Sequence, residues 1–298
     1  MKKVIPIFSA FLITVFLASC STFIQTQKTY PPEVYLPADS NRIVFVNFFD
    51  YTVPEYIKDK HEVTYRMSVK GFWRGLKGGF MADPKVNFMV GDTLSRRKTV
   101  MSMQDSTFRD TIVNVCQRFN ANLLIALDSI NIWIDEEQVT DEDNSTTSEY
   151  YLNSYNYVTL YSSEGDAIDR SIAKGSKLYK SRPAFFLGIL TFPPALSKAA
   201  ADVAGLSEGA GRDYAGRFYP FSETENVSLF TGGPFNETNR IITAGNPVDA
   251  IELLRELTGS SNMNIARKAE HNLSVVYEIL ENRRNTEKIN NEFLSNGK

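Results

Sequence analysis

The chain has 298 residues, room for one large or two modest domains. Its 43% hydrophobic and 22% charged content excludes wholesale disorder, and the 12% of aromatic residues supply a sizeable core. A formal net charge of −3 with no basic cluster argues against a phosphate backbone as ligand, so no nucleic-acid partner is expected.

The first segment reads as a secretory signal over residues 1–19. Lys2 and Lys3 form a positive start, Val4 to Ala18 is an uncharged apolar run, and Ala18 and Ser19 are small residues at a cleavage position. The run is shorter than the roughly 20 residues a permanent transmembrane helix needs. Residues 17–20, "LASC", resemble the bacterial lipobox. The resemblance implies that the signal is cut before Cys20, that Cys20 is acylated, and that the mature chain holds a membrane through it. Two or more acyl chains give stable anchoring where one is marginal. Ser21 follows, with no acidic run behind it, which reads as outer-membrane retention facing the periplasm. Residues 20–40 mix polar side chains with three prolines and read as a tether.

The folded part begins at about residue 41. "RIVFVNFF" (42–49) is a near-continuous apolar run, suited to a strand buried on both faces. Residues 63–82 carry apolar positions at helical spacing, and Pro84 lies beyond their end. "VNFMVGD" (86–92) predicts a short strand. A helix follows, with Phe108, Ile112, Val115, Cys116 and Phe119 on its stripe. "NLLIALDSINIWI" (122–134) predicts a third long strand. Residues 149–163 and 166–179 predict a hairpin turning at Glu164-Gly165. This order implies a mixed α/β or α+β fold: a sheet with covering helices over 41–182.

Residues 183–236 read as an Ala/Gly-rich helical connector. Pro193 and Pro194 break its apolar start, and its small residues suit close helix packing. From 237 to 298 the chain reads as helices only. Pro247 starts one, with Ala250, Ile251, Leu254 and Leu257 on its stripe. Residues 264–282 predict a second, and the last residues a short helix that frays. Gly245-Asn246 followed by Ala250, Leu254 and Leu257 resembles the second helix of a tetratricopeptide repeat. Asn272-Leu273, Tyr277 and Asn282 resemble the first helix of the next. An amphipathic helical hairpin without repeat ancestry fits the same residues. "PPEVYLPADSNRIVFVNFFDYT", "AGRDYAGRFYP" and "TAGNPVDAIELL" resemble stretches of a group of lipoproteins of Bacteroidetes-type bacteria. The resemblance implies a tethered α/β domain joined to a short tetratricopeptide-like tail.

Signals for chemistry are weak. His61 and His271 lack neighbouring ligands at metal spacing, so no metal and no cofactor are expected. Asp141, Asp143, Ser145 and Thr147 mimic an EF-hand loop, but Thr146 and Leu152 stand where Gly and Glu are needed. "GFWRGLKGGF" (71–80) lacks phosphate-loop spacing, and its Gly71 and Gly75 read as close-packing positions. No catalytic set emerges. The expectation is a non-enzymatic interaction or scaffold module with a protein or peptide partner on the helical tail. An accessory subunit of envelope assembly or secretion is the alternative, and an envelope hydrolase the third class. Tyr150, Tyr151, Tyr155, Tyr157 and Tyr161 are candidate anchors, or ordinary strand aromatics.

Overall fold

A computed structural model describes residues 21–37, 40–51, 61–91, 106–140, 142, 146–183 and 193–296. The fold is mixed α+β, as the element order implies, with a helical C-terminal region. The chain divides into two compact units. One combines the chain up to Pro31 with Pro220–Asn296, and the other spans Pro32–Tyr219.

The second unit is built on a five-stranded sheet. Its strands are β2 (Arg42–Asn47), β3 (Asn87–Val90), β4 (Leu123–Thr140), β5 (Thr146–Ser162) and β6 (Ala167–Pro183), in spatial order β3-β2-β4-β5-β6. β2 pairs in parallel with β3 and β4, while β4, β5 and β6 form an antiparallel meander. The β5–β6 turn sits at Gly165, whose φ of +85° is a left-handed conformation that glycine adopts freely. β2 is apolar from Ile43 to Val46 because both of its faces are covered. Helix α2 (Ser106–Phe119) lays Phe108, Ile112 and Cys116 over Val44, Val46, Leu124 and Ala126. On the opposite face, α1 (Glu62–Phe80) and α3 (Ala200–Gly216) cover Ile43, Phe45, Leu123, Ile125 and Leu127.

α1 and α3 touch backbone to backbone. A Cβ on Gly71 would lie 2.0 Å from the Ala204 carbonyl oxygen, one on Gly75 2.0 Å from that of Glu208, and one on Gly211 2.2 Å from that of Phe72. Between them Ser68 Oγ and Ser207 Oγ share a buried 2.7 Å hydrogen bond. The Ala/Gly-rich stretch is therefore a core layer of this unit and not a connector. Arg217, just after α3, is bonded to Asp169 and Ser171 on β6 and to Glu33. Lys177 on β6 meets Asp202 at the start of α3 at 2.6 Å. These contacts pin α3 along β6.

The other unit is a two-stranded antiparallel ribbon with three α-helices and two short 3₁₀ turns, at Gly233–Phe235 and Pro247–Asp249. β1 (Ser21–Tyr30) pairs with β7 (Phe221–Phe230) over its whole length. Residues 21–30, expected as tether, are thus a strand, and residues 221–230 of the expected connector are its partner. Thr22, Ile24 and Thr26 turn inward while Phe23, Gln25 and Gln27 face solvent, an alternation in which threonines stand in for apolar residues. Helices α4 (Asn236–Thr243), α5 (Ala250–Thr258) and α6 (Met263–Asn296) follow, with a 3₁₀ turn at Pro247–Asp249. α6 is one continuous helix of 34 residues, so the separate fraying helix expected at the end is part of it.

α6 grips β7 through side chains. Phe230 N–H donates to Asn272 Oδ1 at 2.9 Å, and Asn272 Nδ2 donates back to the Phe230 carbonyl at 2.9 Å. Asn239 Nδ2 donates to the same carbonyl. Asn272 is fully buried, so its amide acts as a surrogate strand end for a backbone pair that would otherwise go unbonded.

Candidate functional site

The long strands β4, β5 and β6 run past the end of α2, and the register decides what they show there. Tyr155 pairs with Asn131 and Lys174, Tyr157 with Ser129 and Ile172, and Tyr151 with Asp135 and Leu178. Residues paired across strands lie on one face, and alternate residues share it. One face of the meander therefore carries Trp133, Tyr151, Tyr155, Tyr157, Ile172 and Leu178. Among the described residues, α2 covers only the neighbouring stretch of this face, around Leu124, Ala126 and Tyr161. Tyr157 is 37% exposed, Ile172 40% and Leu178 49%.

The rings are held in place. Trp133 and Tyr155 meet edge to face with centroids 4.8 Å apart. Trp133 Nε1 donates to Asp135 Oδ2 at 2.8 Å, and Asn153 Nδ2 donates to the same oxygen at 2.9 Å. The Lys174 ammonium lies over the Tyr155 ring, 5.2 Å from its centroid. Tyr151 OH donates to Glu149 Oε2 at 2.7 Å, a bond that raises the Tyr151 phenol above its ordinary value. A fixed aromatic surface loses little side-chain entropy on binding, which favours recognition.

The five tyrosines separate as strand alternation requires. Tyr150 is buried on the helix-pair side, and Tyr161 is buried beneath α2 against Phe108. Tyr151, Tyr155 and Tyr157 remain as surface candidates. Trp133, Ile172, Lys174 and Leu178 were not singled out from sequence. The register that sets Ile172 beside Tyr157 and Lys174 beside Tyr155 comes from the short turn at Ser163–Gly165 together with the slip at Ile168, and a single sequence marks the turn but not the slip.

The packing positions expected in the helical tail are mostly buried. Ala250 and Leu254 are fully buried, and Leu257 and Leu273 pack at the edge of the same core. Gly245 does not pack: it lies at φ +91° in the turn after α4, with open space where a Cβ would sit. Tyr277 is 42% exposed, and its hydroxyl accepts a 2.7 Å hydrogen bond from Arg255. Val275, Val276 and Ile279 take the buried positions around it. Cys20 lies outside the described residues, as do Asp141, Asp143 and Ser145 of the EF-hand-like stretch; Thr147 is part of β5.

Cys116 and His271 are both held in packed settings. Burial pushes the Cys116 thiol up to about 11, which keeps it protonated at neutral pH and a poor nucleophile. His271 donates through Nε2 to the Ser228 carbonyl at 2.9 Å and packs on Phe230, a structural role beside Asn272. Among the described residues, no group of three or more His, Cys, Asp or Glu side chains is placed to hold a metal ion, and no helix is long and apolar enough to cross a membrane.

No protein-family model matches the chain, and no curated protein is similar to it. Among solved structures, it is similar to a Helicobacter pylori protein described as a neuraminyllactose-binding hemagglutinin homolog. The identity is 12%, the match covers 61% of this chain and 86% of that one, and the TM-score is 0.31.

Proposed function

We propose that the chain is a non-enzymatic interaction module, anchored by an acylated Cys20 at the outer membrane and facing the periplasm. One observation carries the interaction reading: the ordered aromatic and aliphatic face formed by Trp133, Tyr155, Tyr157, Ile172 and Leu178 on a rigid sheet. Large rings clustered on a stiff scaffold are what anchors of protein recognition look like. We assign the partner to this face rather than to the helical tail on the strength of these clustered rings, while Ala250 and Leu254 serve the tail's own core. The anchor rests on the lipobox-like stretch alone.

Crosslinking in intact envelopes, followed by purification under denaturing conditions, tests the reading. Wild type should capture a defined partner, and a Tyr157→Ala/Leu178→Ala variant should lose it while keeping its melting temperature. Equal capture by both would overturn the assignment of this face. A Cys20→Ala chain should carry no lipid and accumulate uncut. Normal processing of that variant, with no lipid on wild type, would overturn the anchor.

A further inference from the structure

The strand beside this face, β6, is the edge of the five-stranded sheet. Two irregularities bracket it. The register slips at Ile168, between the pairs Leu160–Asp169 and Tyr161–Ala167, and again at Tyr179, between Tyr150–Lys180 and Tyr151–Leu178. Between them Asp169–Leu178 is a regular run paired to β5 on its inner side only. No other strand pairs with its outer side among the described residues. Alternate residues of such a run turn N–H and C=O outward, a template for a further strand.

The side chains along the run sort by face. Lys177 and Asp169, on the helix-pair side, are engaged with Asp202 and Arg217. On the aromatic side stand Arg170, Ile172, Lys174, Ser176 and Leu178. Neither Arg170 nor Lys174 is paired with an acid among the described residues, and both are exposed. Cations on an edge strand ordinarily serve to repel another sheet. Here they repel a second copy of this chain, which would bring the same cations, and they attract a strand that carries acids. The exposed Ile172 and Leu178 between them supply apolar contact.

We infer that the outer edge of β6 over Asp169–Leu178 receives an extended segment of a partner protein as a sixth strand. That segment carries acidic side chains opposite Arg170 and Lys174 and apolar ones opposite Ile172 and Leu178. Backbone hydrogen bonds give affinity and the alternate side chains give selectivity. The inference rests on the interaction reading above and names the chemistry of the partner.

The test uses the full chain and a fluorescein-labelled ten-residue peptide. Every second peptide residue reads Glu, Ile, Glu, Ser, Val, with Thr between, and the reversed order is tested as well. A counterpart peptide has Lys in place of Glu. Anisotropy should show the acidic peptide binding about tenfold or more tightly than the lysine peptide, as two opposed ion pairs beside apolar contacts imply. Arg170→Glu/Lys174→Glu should invert that preference at unchanged melting temperature. Amide exchange should slow over 169–178 when the acidic peptide is bound. Equal binding of both peptides, or no slowing within 169–178, overturns the inference. Envelope crosslinking separates the two levels. If wild type and the double variant capture the same partner, the edge assignment fails and the interaction reading stands. If wild type captures none, the interaction reading fails and the edge inference falls with it.

Discussion

Gly75→Ala sets helix propensity against helix packing. In an isolated helix the change favours folding by about 1 kcal/mol. In this protein the new methyl would sit 2.0 Å from the Glu208 carbonyl oxygen and 2.8 Å from the Arg212 nitrogen, both backbone atoms that no rotamer change can move. Ordinary carbon contacts begin near about 3.5 Å, so α1 and α3 must part by roughly 1 Å or more. Overpacking of this kind costs about 1–3 kcal/mol. A gap of that width also forfeits roughly a quarter to a half of each dispersion contact across the seam, where Phe72 and Leu76 are fully buried. The net expectation is a loss of about 2 kcal/mol after the propensity gain is subtracted. Gly78, three residues on, has nothing within 4 Å of its would-be Cβ, so Gly78→Ala should gain about 0.5–1 kcal/mol. Trp73 and Trp133 are the only tryptophans and both lie in the Pro32–Tyr219 unit, so intrinsic fluorescence during urea unfolding reports that unit. Gly75→Ala should unfold at lower urea than wild type and Gly78→Ala at higher. If Gly75→Ala proves as stable as Gly78→Ala, the backbone-to-backbone seam is refuted.

Two further tests address other parts of the core. The Cys116 thiol is raised from near 9 to about 11 by burial, so the native state holds its proton longer than the unfolded chain. The stability this contributes is complete below about pH 9 and is lost as pH rises towards about 11, at up to about 1.4 kcal/mol per pH unit. Denaturant titrations of wild type against Cys116→Ala should therefore converge with rising pH across that window; parallel curves would contradict the assignment. Asn272→Leu should strand the Phe230 N–H at a cost of about 1–3 kcal/mol, read as faster exchange of the Phe230 amide and a lower melting temperature. A Phe230 amide protected as in wild type would show that the Asn272 clamp is dispensable.

The sheet of the larger unit was legible because its signals are local. "RIVFVN" is apolar on both faces, the turn at Glu164-Gly165 is short, and Gly71 and Gly75 fall on one side of a helix. The β1–β7 ribbon was not. Its strands lie about 190 residues apart, neither is apolar enough to announce itself, and most of β7 faces solvent. A polar strand is recognised only by its partner, and a single sequence does not pair the two. In α6, Asn272 is a polar residue at a fully buried position, and Tyr277, expected as a packing residue, meets Arg255 at the surface. The aromatic face was half legible: tyrosine alternation marked β5, but which rings stay uncovered depends on where α2 ends.

The ribbon also orders events as the chain emerges into the compartment where it folds. β1 precedes the Pro32–Tyr219 unit in the chain, and its partner β7 follows that unit. Domains generally fold as units. The larger unit can thus reach its native state while β1 waits as a bare strand with both edges open. That wait exposes an alternating strand to misplaced pairing, and the outward Gln25 and Gln27 make it a poor template for wrong partners. A chain cut short after Tyr219 keeps the larger unit entire and leaves β1 without a mate, so a fault near the C-terminus is felt at the N-terminus.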